Sequence, residues 1–308
     1  MNIGNKRLII KPLGGIGNRM RAIDSALSYA NQNNFSLTVI WEQNTNELNC
    51  PYYKLFKPSA YFEVIETKAQ PYFSFSRLHF PQYLNEKNWI YRIANKTHLF
   101  ENKIIKNAKT FYFDEFTHIS EQINKNNPNL SLHAFDNLFC QTINQFLEDN
   151  ANTQILYLVS FYRFYPSNSP YSSFQLTNAI SEKLNQNKFN VINAIGLHIR
   201  RTDHERSKAF STLDKFIHVI NSEIQINPHS TFYIATDDDS VLKTLVQSFG
   251  NRILSFPKNN TRTTEQGIID AVTELYLLSE TKKIYGSYFS TYNQVAAQIR
   301  NKELIIIK

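Results

Sequence analysis

Two adjacent arginines that follow an apolar segment are the strongest candidates for chemistry in this sequence. The segment 194–199 leads directly into Arg200 and Arg201, and Asp203 follows two residues later. Arginine is rarely buried without a partner, and its planar guanidinium group can bind two phosphate oxygens at once. An anionic ligand such as a pyrophosphate would explain this pair. An ion pair between Asp203 and one of the arginines is the structural alternative.

Further polar residues follow the other strands that the C-terminal half of the sequence predicts. Because the carboxyl ends of parallel strands meet at one edge of a sheet, we expect these side chains to lie near the arginines. Arginines suit phosphates, carboxylates suit ribose hydroxyls or the N–H groups of a base, and hydroxyl groups suit phosphate oxygens. The pattern predicts a nucleoside diphosphate site whose other residues include Asp237, Asp238, Ser287, Ser290 and Thr291.

The acidic run Asp237 to Asp239 also has the Asp-x-Asp spacing with which many enzymes hold a divalent cation. Carboxylates at this position can equally cap a helix that begins near Ser240, or contact a ribose. The paired arginines already supply the positive charge that a diphosphate needs. We therefore expect helix capping or ribose contact, and no metal ion.

A glycine-rich turn near the N-terminus is the second candidate site. It lies between a predicted strand at 7–11 and a predicted helix at 19–31, so the backbone could approach a ligand while the helix N-terminus offers free amides. The spacing fits neither a dinucleotide-binding fingerprint nor a P-loop, and a tight turn without a ligand is the alternative. The polar residues at the helix start favour a ligand. The candidates are Gly14, Gly15, Gly17, Asn18 and Arg19.

Composition limits the classes of partner and the compartment. The 308-residue chain has a formal net charge of +7, but its Lys and Arg residues are scattered, which disfavours a nucleic-acid partner. The N-terminus lacks the pattern of a signal peptide, and no run of about 18 apolar residues occurs. We expect a cytoplasmic protein without a transmembrane segment, for which peripheral membrane contact stays open. Cys50 and Cys140 are then expected to be reduced.

The elements that must position these residues alternate regularly in the second half. Strands and helices follow one another from 191 to 307, which is typical of a parallel sheet covered by helices on both faces. A strand-helix-strand unit spans 7–41, and Pro166 and Pro170 mark a candidate boundary. The sequence thus predicts an α/β protein with two Rossmann-like domains, at 1–175 and 176–308, and a cleft between them. The aromatic residues at 52–91 are expected to pack in a core, although they could stack on sugar rings.

Four stretches resemble one known family. Residues 196–203, Gly-Leu-His-Ile-Arg-Arg-Thr-Asp, resemble the His-x-Arg-Arg-x-Asp motif of the GDP-fucose-dependent fucosyltransferase superfamily, which includes α1,6-, α1,2- and protein O-fucosyltransferases. Residues 13–20, with Gly-Gly-Ile-Gly-Asn, resemble the N-terminal loop of that family, and 233–238 and 270–290 resemble its second and third motifs. Residues 50–150 carry none of the resemblance.

The resemblance implies a GT-B fold, two facing Rossmann-like domains, and an inverting transfer that requires neither a metal ion nor a cofactor besides the donor substrate GDP-fucose. Arg200 and Arg201 would neutralise the diphosphate leaving group, and Asp203 would orient them or the base. The donor would also contact the C-terminal domain through His198, Asp237, Asp238, Asp270 and Ser290. Gly17 and Asn18 would line the acceptor side.

Inversion also requires a group that takes the proton of the acceptor hydroxyl. In the α1,6 enzymes a Glu lies five residues beyond the Asp of the motif, and this position is Lys208 here. Glu205 is the nearest carboxylate and joins the arginines and Asp203 as a predicted catalytic residue; a solvated loop charge is the alternative, and Asp24 is a second, less favoured candidate for the base. The departure also argues against assigning the α1,6 linkage.

The resulting hypothesis is a glycosyltransferase that moves fucose from GDP-fucose to a glycan, a lipid-linked acceptor or another hydroxyl. The alternatives are the same fold with a different nucleotide sugar, or a sugar-nucleotide or glycan-binding protein without catalysis. A Rossmann oxidoreductase is disfavoured by the glycine spacing.

Overall fold

The computed structural model describes residues 6–43, 47–68, 109–111, 113–128, 130, 132–202 and 205–308. The chain forms two compact units. The N-terminal unit comprises Met1–Tyr53, Pro58–Ser169 and Ser173–Gln175, and the C-terminal unit comprises Lys54–Lys57, Pro170–Ser172 and Leu176–Lys308. Asp203 and residues 72–91 of the aromatic stretch lie outside the described residues, whereas Tyr52, Phe56 and Phe62 of the same stretch are buried.

The N-terminal unit is built on a parallel sheet of five described strands in the order β3-β2-β1-β5-β4. These strands are β1 (Lys6–Pro12), β2 (Phe35–Gln43), β3 (Glu63–Lys68), β4 (Lys109–Phe111) and β5 (Ile155–Ser160). The helices described up to residue 149 are α1 (Ile16–Asn33), the short α2 (Tyr52–Leu55), α3 (Phe113–Asn126) and α4 (Leu132–Asp149).

The central strand β1 and the helix that follows it supply much of this core. Leu8, Ile9 and Ile10 of β1 are completely buried, as β1 pairs with a neighbour on each side. Asn34 caps the C-terminal end of α1; it adopts the left-handed conformation with φ of 57° and donates its N–H to the carbonyl of Ala30. This C-cap turns the chain sharply into β2.

The C-terminal unit has a second parallel sheet of five described strands, in the order β10-β9-β6-β7-β8. Its strands are β6 (Ile195–Ile199), β7 (Phe232–Thr236), β8 (Ile253–Ser255), β9 (Ile284–Ser287) and β10 (Leu304–Ile307). Its helices are α5 (Asn178–Val191), α6 (Glu205–Phe210), α7 (Leu213–Ile226), α8 (Asp239–Phe249), α9 (Glu265–Glu280) and α10 (Thr291–Ile299). This confirms the predicted α/β class.

In each sheet the strands that come later in the chain lie on both sides of the first strand, so the strand order reverses direction there. In the N-terminal unit β1 lies between β2 and β5, and in the C-terminal unit β6 lies between β7 and β9. In open parallel sheets the crevice beyond such a reversal, at the carboxyl ends of the strands, is the usual place for a ligand. The residues after β1 and β6 therefore lie where a ligand is expected.

The predicted start of β6 differs from the structure. The strand expected from residue 191 begins only at Ile195, because α5 continues to Val191. Ile180, Leu184 and Val191 of α5 are buried on one face, so the apolar helical spacing continues as far as Val191. No helix in the described ranges is long and apolar enough to cross a membrane.

Candidate functional site

The carboxyl end of β6 is tied to its neighbour β9 by one serine. Ser287, which is completely buried, accepts a hydrogen bond from the Arg200 N–H at 3.0 Å and donates its hydroxyl to the carbonyl of His198 at 3.2 Å. The hydroxyl of Ser287 thus fixes the backbone from which the Arg200 side chain projects. This link lies where the strand order reverses.

The other neighbour, β7, holds the same loop through Asp237. Its carboxylate accepts hydrogen bonds from the Arg201 N–H at 2.7 Å, from the Thr202 N–H at 3.3 Å and from the Thr202 hydroxyl at 2.6 Å. The hydroxyl of Thr236 donates to the carbonyl of Ile199 at 2.7 Å. The arginine pair therefore starts from a backbone fixed on both sides.

Both arginine side chains are half-buried at this edge. The guanidinium of Arg201 donates to the carbonyl of Ser211 at 3.1 Å, and within the described residues its side chain makes no other hydrogen bond. A guanidinium group carries five N–H donors. Arg201 is thus oriented by the protein while most of its donors remain available for an anion.

His198 is a neutral group at the end of β6. Its ring is 7% exposed and stacks on Tyr292, with ring centroids 5.0 Å apart. Burial lowers the pKa of His198 to about 3; Asp237 opposes the shift, and Arg200 and Lys258 add to it. Its Nδ1 atom is buried without a hydrogen-bond partner in the described part of the chain. The imidazole can therefore form a hydrogen bond to a ligand but adds no charge at neutral pH.

The start of α10 presents a second unsatisfied polar group. Ser290 is 1% exposed, and its hydroxyl has no partner among the described residues. It is the N-cap residue of α10, which begins at Thr291, yet its side chain does not cap the helix. A buried hydroxyl beside the amides of a helix N-terminus suits a phosphate oxygen.

The carboxylates predicted to contact a nucleoside make several internal hydrogen bonds. Asp238 caps α8 by accepting from the Ser240 N–H at 2.9 Å and from its hydroxyl at 2.6 Å, and these bonds help lower the pKa of Asp238. Asp270 accepts from the side chains of Gln266 at 2.7 Å and Lys183 at 3.3 Å, and from the Asn259 N–H at 3.2 Å. Within the described ranges, no group of three or more His, Cys, Asp or Glu is placed to hold a metal ion.

The sequence reasoning missed a buried ion pair beneath this edge. Lys258 donates to the carbonyl of Thr236 and to Glu274, both at 2.5 Å, and the hydroxyl of Tyr292 donates to the second oxygen of Glu274 at 3.3 Å. Burial raises the pKa of Glu274, and Lys258 and Tyr292 oppose this shift. The signal was present: Lys258 closely follows β8, as the predicted residues follow the other strands.

In the N-terminal unit the glycine-rich turn is held by its own side chains. Gly14 has a φ of +77°, its N–H donates to Glu47 at 3.0 Å, and its carbonyl accepts from Arg19 at 2.8 Å. Arg19 is 1% exposed and also donates to the carbonyl of Glu42 at 2.5 Å. The N–H of Gly14 is therefore occupied by Glu47, and the contact of this turn with a ligand stays a prediction. Arg19 thus supports the loop from within the core, and its predicted ligand contact stays a prediction.

Two further carboxylates of the N-terminal unit form buried ion pairs. Glu42 binds Lys11 at 3.1 Å, and burial lowers the pKa of Lys11 to about 8 although Glu42 opposes the shift. Asp24, the second candidate for the catalytic base, binds Arg163 at 3.1 Å and is 3% exposed. Asp24 is thus a structural residue in this conformation.

Some of the predicted site residues lie together in the C-terminal unit, and others belong to the N-terminal unit. His198, Arg200, Arg201, Asp237 and Ser287 form a hydrogen-bonded set at one sheet edge. Gly14, Gly15, Gly17, Asn18 and Arg19 belong to the other unit. Glu205 is the first residue of α6.

Comparison with known proteins gives structural likeness only. No family model matches the chain, and no curated protein matches its sequence. The structure is similar to the α-1,6-fucosyltransferase NodZ, known from Bradyrhizobium, in crystals soaked with GDP-fucose, with a TM-score of 0.60 and 14% identity over 96% of this chain and 93% of that one.

Two other solved structures are similar at comparable levels. POFUT1 in complex with GDP matches with a TM-score of 0.52 and 12% identity over 99% of each chain. A variant of FUT1 from Arabidopsis thaliana in complex with GDP matches with a TM-score of 0.54 and 14% identity, covering 98% of this chain and 70% of that one. These likenesses confirm the predicted resemblance: the chain has the α/β fold of GT-B type found in the fucosyltransferases to which it is similar.

Proposed function

We propose that this protein is a glycosyltransferase that transfers fucose from GDP-fucose to a hydroxyl group of a glycan, a lipid-linked acceptor or another small acceptor. The observation that carries the proposal is the pair Arg200 and Arg201 at the point where the strand order reverses, with Ser287 and Asp237 fixing their backbone. The fold similarity to structures that hold GDP or GDP-fucose supports the choice of donor.

The proposed chemistry requires positive charge rather than a covalent intermediate. As the bond between the anomeric carbon and the diphosphate oxygen breaks, negative charge develops on the leaving group, and prepositioned cations stabilise it. Arg200 and Arg201 supply that charge in our proposal, without a metal ion, and Asp203 orients them. The neutral imidazole of His198 and the hydroxyl of Ser290 form hydrogen bonds to the diphosphate or the ribose.

The nucleoside contacts are proposed at the carboxylates. An ionised carboxylate accepts about four hydrogen bonds, and Asp237 and Asp270 each use three of these positions inside the protein. Each can accept one further bond, from a base N–H group or a ribose hydroxyl. In this proposal Asp237, Asp238 and Asp270 contact guanosine while they also stabilise the loops.

Calorimetry with GDP, UDP and ADP tests the donor, and Arg200→Ala tests the clamp. Loss of a charge-assisted bond to phosphate removes about 1.5–3 kcal/mol, so the Kd for GDP should rise roughly 10- to 100-fold. Arg252→Ala is the matched control, since Arg252 donates to the backbone of Pro228 and Ser230, before the start of β7.

Two results would contradict the proposal. Tight binding of UDP with no binding of GDP would exclude GDP-fucose as the donor. Unchanged transfer by Arg200→Ala with GDP-fucose and an acceptor panel, at saturating donor, would remove the catalytic role of the arginine.

A further inference from the structure

The ring of Tyr292 is the surface against which the His198 imidazole lies. The two ring planes are inclined by 24° and their centroids are 5.0 Å apart, which is the geometry of a stacked pair. Tyr292 is the second residue of α10, and His198 belongs to β6. The stack therefore joins the start of this helix to the strand that leads into the arginine pair. Tyr292 was not among the residues that the sequence singled out.

The imidazole of His198 depends on this stack for its orientation. A functional histidine is usually oriented by a hydrogen bond from a neighbouring group to one of its ring nitrogens. Nδ1 of His198 is buried without such a partner among the described residues, although the residue is only 7% exposed. In that part of the chain, the face of the Tyr292 ring thus takes the place of an orienting hydrogen bond.

Tyr292 is itself held from behind, through its hydroxyl group. The hydroxyl donates to the carbonyl of Ala271 at 2.7 Å and also lies 3.3 Å from a carboxylate oxygen of Glu274. The other oxygen of Glu274 accepts from Lys258, and Lys258 donates as well to the carbonyl of Thr236 at the end of β7. Because its single hydroxyl hydrogen already has acceptors inside the protein, Tyr292 acts on its surroundings through the ring.

This chain of contacts returns to the strand from which it started. The hydroxyl of Thr236 donates at 2.7 Å to the carbonyl of Ile199, the residue that directly follows His198. The backbone beside His198 and the ring against its imidazole are therefore set by one connected network. Hydrogen bonds weaken steeply when donor and acceptor are misaligned, so the orientation of this imidazole decides how well it can bind a ligand.

We propose that Tyr292 is a positioning residue for donor binding, whose ring holds the His198 imidazole in the orientation that forms a hydrogen bond to the diphosphate or the ribose. The inference rests on the proposed transferase function. In this role Tyr292 does not touch the donor, and its effect passes entirely through His198. All the groups involved belong to the C-terminal unit.

A double-mutant cycle on the Kd for GDP, measured by calorimetry, tests whether Tyr292 acts through His198. His198→Ala removes one hydrogen bond to the ligand and should raise the Kd roughly 10-fold. Tyr292→Leu should raise it about 5- to 10-fold, because the imidazole loses its orientation. Effects of independent sites add as free energies, so two separate roles would raise the Kd of the double variant about 50- to 100-fold. We expect instead a rise of about 10-fold, no larger than that of His198→Ala alone.

Two further variants separate positioning from general packing. Tyr292→Phe keeps the ring that faces His198 and should hold the Kd for GDP within about twofold of the wild-type value. Tyr285→Leu is the matched control and should leave the Kd unchanged. The hydroxyl of Tyr285 likewise donates to a glutamate, Glu223 of α7, but its ring packs against the core cluster on the side of that helix.

Each outcome decides between the inference and its rivals. Independent, additive effects in the cycle, an unchanged Kd in His198→Ala, or an unchanged Kd in Tyr292→Leu would overturn the inference. If Tyr292→Leu does not fold, Tyr292→Met replaces it in the cycle, since the unbranched side chain of Met fills irregular space in a core. Loss of folding in both variants would assign Tyr292 to the core alone and would also overturn the inference. Failure of the wild-type protein to bind GDP would instead refute the proposed function.

Discussion

Replacing Lys258 with methionine should destabilise the C-terminal unit in a way that depends on pH. The side chain of Lys258 is 12% exposed and that of Glu274 is 6% exposed, and their charged groups are 2.5 Å apart. Removing one member of a buried ion pair leaves the other charge without compensation and costs about 3–5 kcal/mol. Lys258→Met should reduce the free energy of unfolding by about this amount near pH 8.

The pH dependence follows from the carboxyl group left behind. Burial raises the pKa of Glu274 in the folded state, and Lys258 supplies the largest opposing effect, so its loss should raise that pKa further. Between the unfolded and folded pKa values the folded protein binds more protons, and stability therefore falls as pH rises. The slope is about 1.4 kcal/mol for each pH unit. The variant should thus be least destabilised near pH 5, where Glu274 can fold in its neutral form.

Urea denaturation of wild type and variant at pH 5 and pH 8 measures this difference, and the double variant Lys258→Met with Glu274→Gln is the control. Because Gln carries no charge to bury, the double variant should recover most of the lost stability and show no extra pH dependence. Equal loss at both pH values, or a double variant no more stable than Lys258→Met, would refute the electrostatic argument. A loss below about 1 kcal/mol at pH 8 would also refute it, because a broken buried pair costs more.

Two other substitutions test the packing and the charges described above. Gly267→Ala should destabilise the protein by about 1–3 kcal/mol in a denaturant titration, because the new Cβ would lie 1.9 Å from the backbone oxygen of Thr261; an unchanged midpoint would contradict that contact. Lys11→Met should lower the free energy of unfolding by about 3–5 kcal/mol, because it leaves Glu42 buried without a cation. The double variant Lys11→Met with Glu42→Leu should regain most of that stability. If the double variant is no better than Lys11→Met, the loss comes from packing instead of charge.

The edge of the C-terminal sheet could be predicted from sequence because the relevant residues directly follow their strands. Arg200 follows β6 and Asp237 follows β7, and the parallel register that pairs Ile199 with Thr236 brings them together. The sequence could not tell whether Asp237 faces a ligand or the loop beside it. That depends on the backbone N–H groups of Arg201 and Thr202, which become neighbours only when the strands pair.

The glycine-rich turn shows what local pattern cannot reveal. Its position between a strand and a helix was predictable, but its partner Glu47 lies 33 residues further along the chain. Arg19 was predicted as a ligand contact at the start of a helix; in the structure it is buried, and its guanidinium lies 4.9 Å from the Trp41 ring centre. Contacts at such separations depend on how β1 and β2 pack, and hydrophobic periodicity carries no information about them.

The hydroxyl of Ser287 also provides a hydrogen-bond acceptor for a backbone N–H at the end of β6. The ladder between β6 and β9 ends with His198 opposite Gly286, whereas β6 stays paired with β7 one residue further. Two strands that diverge would normally leave a buried N–H without an acceptor, which is costly. Ser287 Oγ accepts the hydrogen bond from the Arg200 N–H that a carbonyl of the neighbouring strand would otherwise accept. The two strands can therefore diverge at this point without leaving the Arg200 N–H unsatisfied. Ser287→Ala would remove this hydrogen bond and leave the backbone pairing of both strands in place.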